Sequence, residues 1–128
     1  MATSLALAVS IEKTLKIKTE LKWPNDVTIK GNKVAGILID ASVESNKIDY
    51  LIIGVGINFK INPSTISKSI KQKKYGIATL ISKDQGTRPA ELVQQFLLEL
   101  EKTYNNILTG NVGTIRKEWI KRSSTIGK

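Results

Sequence analysis

The 128-residue chain contains no cysteine and no histidine. Without thiols there is no disulfide, no thiolate metal site and no cysteine nucleophile. Without imidazoles there is no histidine-built zinc site and no Ser-His-Asp triad. Chemistry is left to lysine, arginine, carboxylates, amides, hydroxyls and the main chain, with Mg²⁺ held by carboxylates and phosphates still compatible. Arginine is scarce: Arg88, Arg116 and Arg122 are the only ones among 20 basic residues, and aromatics make up 5% of the chain. Arginine forks dominate base and phosphate readout. The net charge of +9 therefore reads as a lysine-rich solvated surface, and nucleic acid is disfavoured as a partner. No apolar run reaches the ~18 residues of a membrane span. The opening MATSLALAVSIEKTLKI has no basic leader and is broken by Glu12 and Lys13. It reads as a helix, not a signal peptide, and the expected location is cytoplasmic.

With 41% hydrophobic residues, the chain can build the modest core of one domain. Leu7, Ile11 and Leu15 predict a helix over 4–16, capped by Thr3 or Ser4. A short strand at 20–23 leads into a turn at Pro24-Asn25-Asp26. Val27 to Lys30 and Lys33 to about Val43 read as strands joined by a two-residue turn at Gly31-Asn32. Ser45-Asn46 closes a second hairpin, and Ile48 to Ile57 forms the next strand. Residues 59–76 read as a flexible basic loop, and Ile77 to about Lys83 as a short helix. A helix over 88–109 carries Leu92, Phe96, Leu100, Tyr104 and Ile107 in one stripe, with Val93, Leu97 and Leu108 beside it. Thr87, Pro89 and Gly110 bound it. A last helix, Val112 to Lys121, sets Val112, Ile115, Trp119 and Ile120 on one face.

Hairpin register decides which side chains share a face. These turns pair Lys30 with Lys33, Thr28 with Ala35 and Asp26 with Ile37. They pair Lys33 with Asn58, Ala35 with Gly56 and Ile37 with Gly54. One face then carries Asp26, Thr28, Lys30, Lys33, Ala35, Ile37, Gly54, Gly56 and Asn58. The other is an ordinary core face of Val27, Ile29, Val34, Gly36, Leu38, Ile53, Val55 and Ile57. Glycine weakens a strand and often marks close approach by a ligand. Gly54 and Gly56 thus floor a trough. Lys33 and Asn58 stand at one end and Asp26 toward the other, about 13 Å along the strand rise, so Asp26 and Lys33 bracket a ligand and need not form a salt bridge.

The segments KWPND (22–26), NKVAGILID (32–40) and IIGVGIN (52–58), in this order and spacing, resemble the catalytic domain of biotin–protein ligases. GIATLISKDQG (76–86) fits that family's short helix after its variable loop. The resemblance implies an α+β fold, a mixed or antiparallel sheet flanked by helices, of the class II aminoacyl-tRNA synthetase-like biotin/lipoate ligase type. It implies that biotin and MgATP give biotinyl-5′-AMP, and that the biotinyl group passes to a lysine of a biotin carboxyl carrier protein. Lys33 matches the lysine that contacts the biotin carbonyl and the adenylate phosphate. Asn25 and Asn58 match amides near the adenine. Asp26 matches the acidic residue tied to ATP/Mg²⁺ handling or the incoming lysine. Gly36 and its neighbour Ile37 match the wall of the biotin pocket, with Gly54 and Gly56 in the facing strand.

The chain departs from the family in two places. The glycine- and arginine-rich G-R-G-R loop has no counterpart before Arg88, the first arginine. The small C-terminal domain of the family is expected to begin about where residues 127–128 stand. The expectation is a partial catalytic domain over 1–128, inactive or nearly so alone. It would be completed by a complementary N-terminal chain or by self-association over an exposed apolar face. The alternatives are a non-catalytic remnant that binds a nucleotide or a protein, and a lipoate-ligase-like acyl transferase subunit.

Overall fold

The computed structural model describes residues 1–62, 64–65, 76–82 and 86–126. The elements are α1 (Ala2–Leu15), β1 (Glu20–Lys22), β2 (Asp26–Ile29), β3 (Asn32–Glu44), β4 (Lys47–Ile57), α2 (Pro89–Leu108) and α3 (Val112–Arg122). The strands form one antiparallel sheet in the order β1-β2-β3-β4. The architecture is α+β, as expected. Most of the 59–76 loop lies outside the described residues.

Helix α1 is buried along most of its first three turns: Thr3 to Ala8, Ser10 and Ile11 are all covered. Small residues make this possible, because Ala and Ser let neighbours approach closely. Their hydroxyls are satisfied locally, with Ser10 Oγ donating to Ala6 O at 2.6 Å and Ser4 Oγ to Met1 O at 2.9 Å. The expected Thr3 or Ser4 cap does not form. The helix starts at Ala2, so Met1 occupies the N-cap without a side-chain bond, and Ser4, inside the first turn, accepts from the Trp119 indole Nε1 at 3.0 Å. Trp119 is fully buried. It meets the exposed Trp23 edge-on, with ring centroids 6.2 Å apart, and so backs the Trp23-Pro24 turn before β2.

Helix α2 spans the expected residues, but only the first part of its expected stripe packs: Leu92 is in the core and Phe96 lies against it, while the later positions turn outward. Leu92, Glu99 and Thr103 are buried, whereas Val93, Leu97, Leu98, Tyr104, Ile107 and Leu108 are exposed. The polar Glu99 tolerates this because it accepts from Lys13 Nζ at 2.6 Å, Gln95 Nε2 at 2.9 Å and Lys102 Nζ at 3.2 Å. In α3 only Ile115 and Trp119 of the expected face are buried; Val112 and Ile120 are exposed.

The expected short helix after residue 76 is absent from the described residues. Residues 76–82 form no helix; Ile77 bridges Lys33, and the residues just after β4 take the backbone donors that a helix would use. Leu80 N donates to Asn58 O at 2.8 Å and Ile81 N to Phe59 O at 2.9 Å. Beyond Gly36 the β3–β4 hairpin has no partner in β2. Leu38, Ile39, Val43, Ile48 and Tyr50 to Ile53 are exposed along it.

Candidate functional site

Two β-bulges build the site. The first hairpin turns at Lys30-Gly31, both at positive φ, one residue earlier than expected. Ile29 therefore faces Asn32 and Thr28 faces Lys33. A bulge then inserts Val34, so that Val27 faces Ala35 and Asp26 faces Gly36. The second turn does fall at Ser45-Asn46, with Glu44 opposite Lys47, but a bulge at Asp49 slips the rest by one: Ala35 faces Ile57, Gly36 faces Gly56 and Leu38 faces Gly54. A bulge re-aims side chains in this way because one extra residue reverses the two-residue alternation.

The consequence is a correction to the expected faces. Ala35 and Ile37 join Val27 and Val34 in the core, where Gly36 and Leu38 were expected. Gly36 and Leu38 take their places beside Gly54, Gly56, Asp26 and Lys33. Together Asn25, Asp26, Lys33, Gly36, Ile37, Leu38, Gly54, Val55 and Gly56 line an open groove of about 560 Å³. Every expected site residue but Asn58 borders this groove. Leu38 and Val55 were not read as site residues, because an inserted bulge residue leaves no mark in the hydrophobic pattern.

The glycine floor is bare for want of a packing reason. A Cβ at Gly56 would meet only Gly36 O at 4.0 Å, and one at Gly54 only Leu38 atoms at 3.6 and 3.8 Å. A side chain there would fill the groove and collide with nothing, so the glycines leave room for a ligand to approach the backbone.

Lys33 heads the groove on a fixed main chain. Its N donates to Gly76 O at 2.9 Å. Its carbonyl accepts from Ala78 N at 2.9 Å and from Asn58 Nδ2 at 3.3 Å. Asn58 thus holds the Lys33 peptide instead of standing across the trough. The clasp from Gly76 and Ala78 had no signal in the sequence. The Lys33 ammonium does not stand far from Asp26: Nζ lies 2.7 Å from Oδ1, with the two side chains 42% and 24% exposed. The expected separation fails because the early turn sets Lys33 opposite Thr28, two residues along β2 from Asp26 and not four, while the bulge places Gly36 opposite Asp26. Asn25 staples its turn to β3: Ile37 N donates to Asn25 O at 3.0 Å, and Asn25 Nδ2 donates to Ile37 O. It also borders a smaller cavity of about 170 Å³ shared with Met1, Thr3, Ser4, Pro24, Ile37 and Ile39.

Among the described residues no three carboxylates gather to hold a metal ion. No described helix is long and apolar enough to cross a membrane.

Comparison with known proteins now places these features. The model of the biotin/lipoate A/B protein ligase family matches residues 1–58. The bifunctional ligase/repressor BirA of Bacillus subtilis (strain 168) is 33% identical over 99% of this chain, which spans 38% of that protein. The biotin–[acetyl-CoA-carboxylase] ligase of Paracoccus denitrificans is 28% identical over 84% of this chain and 45% of its own length. The apo structure of the Aquifex aeolicus biotin protein ligase superposes with a TM-score of 0.79 at 23% identity, covering 99% of this chain and 53% of that one. The same enzyme in complex with biotin and ATP gives 0.76 at 21% identity. The fold is that of the biotin and lipoate ligases. Within that class, the chain corresponds to part of the catalytic domain of the biotin–protein ligases, and it spans less than half the length of the curated relatives it matches.

Proposed function

We propose that this chain carries the lysine-headed half of an acyl-adenylate site in an ATP-dependent biotin–protein ligase. The reaction is activation of biotin to biotinyl-5′-AMP, followed by transfer to a lysine of a biotin carboxyl carrier protein. The observation that carries the reading is a clamped lysine over a floor of three glycines, in a chain related to biotin ligases.

In the first step a biotin carboxylate oxygen bonds to the α-phosphorus of ATP and the bond to pyrophosphate breaks. Negative charge gathers at a crowded centre, and a fixed ammonium there lowers the barrier electrostatically. Lys33 has that position and a rigid main chain. The bare floor of Gly36, Gly54 and Gly56 lets the two anions lie close together, which supplies much of the remaining acceleration. In the second step an acceptor amine bonds to the acyl carbon and AMP leaves. The amine must first lose a proton, and the Asp26 carboxylate is the acid–base group at hand. Asn25 and Asn58 act by holding the turn and the Lys33 peptide, beside any contact with adenine. One carboxylate makes no resident metal cage, so Mg²⁺ would arrive held mainly by ATP phosphates.

Replacing Lys33 with Ala in the ligase that contains this chain should slow biotin-dependent pyrophosphate release by about 10²–10³-fold and leave the fold intact. An unchanged rate would remove Lys33 from the mechanism.

The exposed face of α2 and the β3–β4 hairpin completes the proposal. Ile53, Leu97, Leu98, Leu100 and Tyr104 line an apolar groove of about 750 Å³. Apolar patches of this kind mark interaction surfaces. A further segment of the ligase, or a second copy of the chain, would cover it.

A further inference from the structure

The Lys33–Asp26 pair depends on Gly36. The point where a Cβ would sit on Gly36 is 2.9 Å from Lys33 Nζ, 3.0 Å from its Cε and 3.5 Å from Asp26 Oδ1. The tail of Lys33 therefore lies across Gly36 to reach its partner, and a methyl group there would push the flexible end of that side chain off its present path. The main chains of both residues are fixed, Lys33 by its three hydrogen bonds and Asp26 by its pairing with Lys22 and Gly36. Only the side chains can move. An anion within reach of the ammonium also comes within about 4–6 Å of the Asp26 carboxylate, where like charges repel.

We infer that Asp26 is a built-in competitor for Lys33: it holds the ammonium until an anion enters the groove, then yields it, leaving its carboxylate open to a cationic amine. The exchange would order the site, first an anion on Lys33 and then an amine on Asp26. Gly36 is the positioning residue that keeps the path clear. The identity of the anion rests on the acyl-adenylate reading; the exchange does not.

The test uses the ligase that contains this chain and a non-hydrolysable, phosphate-linked analogue of biotinyl-AMP, with uncharged biotinamide as the control. Asp26→Asn should bind the charged analogue about threefold to tenfold tighter, as loss of a half-exposed competing ion allows. Biotinamide binding should not change, and Asp26→Asn with Lys33→Met should lose the gain. In ¹³Cε-lysine spectra, the Lys33 signal should move on adding the analogue, toward the position it already has in Asp26→Asn. Gly36→Ala should shift that signal before any ligand is added. If the wild type binds the analogue and Asp26→Asn binds it no better, the exchange is wrong and the acyl-adenylate reading stands. If no folded variant binds it, that reading fails. Inorganic pyrophosphate then becomes the probe, and an unmoved Lys33 signal overturns the exchange too.

Discussion

Replacing Trp119 with Ala tests the link between the packing and the site. Trp119 is fully buried and is the largest such side chain in the molecule. It joins α3 to α1 through Ser4 and stands behind Trp23, two residues before Asn25. Truncating a buried Trp costs about 3–5 kcal/mol. The edge-on contact with the half-exposed Trp23 adds a few tenths to about 1 kcal/mol. A loss of about 4–5 kcal/mol would follow, against a total of roughly 6–19 kcal/mol for a chain of this length. At an unfolding entropy of about 2.1 cal/mol/K per residue, the melting temperature would fall by about 15–19 °C. Trp119→Phe keeps most of the apolar volume and loses the indole donor, and should cost about 1–2 kcal/mol. Urea unfolding followed by far-UV circular dichroism measures both, since each variant also removes a fluorophore. A Trp119→Ala loss below about 2 kcal/mol would mean that α3 is not pinned to α1 through this ring.

Three further predictions follow from other contacts. Burial raises the Glu99 pKa, but hydrogen bonds from Lys13 and Lys102 outweigh it and hold the carboxyl below its usual range. Its stabilising contribution is present above the unfolded pKa of about 4.3 and is lost as the pH falls through the depressed folded value. Glu99→Gln should flatten the acid limb of stability against pH, and an unchanged limb would contradict the assignment. Burial works against the charge on Arg122, yet its bonds to Glu118 and Glu12 raise its pKa. Arg122→Lys, which keeps the charge and loses the fork between α1 and α3, should lower stability by about 1 kcal/mol in urea unfolding. If the apolar groove is an association surface, Leu97→Glu should weaken self-association by about tenfold or more in sedimentation; a monomeric wild type at micromolar concentration would assign the surface to another partner.

Much of the site's composition could be read from the chain, and little of its geometry. Lys33, Asp26, Gly36, Gly54 and Gly56 stand out because each is a poor choice for a plain strand. Their mutual placement was misread in three ways: the first turn falls one residue early, Val34 is inserted opposite Val27–Thr28, and Asp49 is inserted near the second turn. Because strand side chains alternate every residue, each such slip moves a whole row to the other face. The stripe on α2 misled for another reason. Periodicity marks an apolar face, but it cannot say whether that face meets the chain's own core. Toward its C-terminal half the packed side of α2 carries Glu99 and Thr103: Lys13 of α1 reaches Glu99, and Thr103 bonds to the Glu99 carbonyl one turn back.

The sequence by itself determined the order of the long helices and the strands, the two hairpins, the exclusion of thiol and imidazole chemistry, and the lysine and glycines of the groove. These depend on local propensity, turn residues and composition, which act over a few positions. Only the tertiary structure decided that Gly36 and Leu38 face the groove while Ala35 and Ile37 face the core. It also decided that Lys33 reaches Asp26 across Gly36, and that Gly76 and Ala78 clasp the Lys33 peptide. Those outcomes depend on bulges and on contacts between distant segments, where the hydrogen bonds of one strand are completed by another.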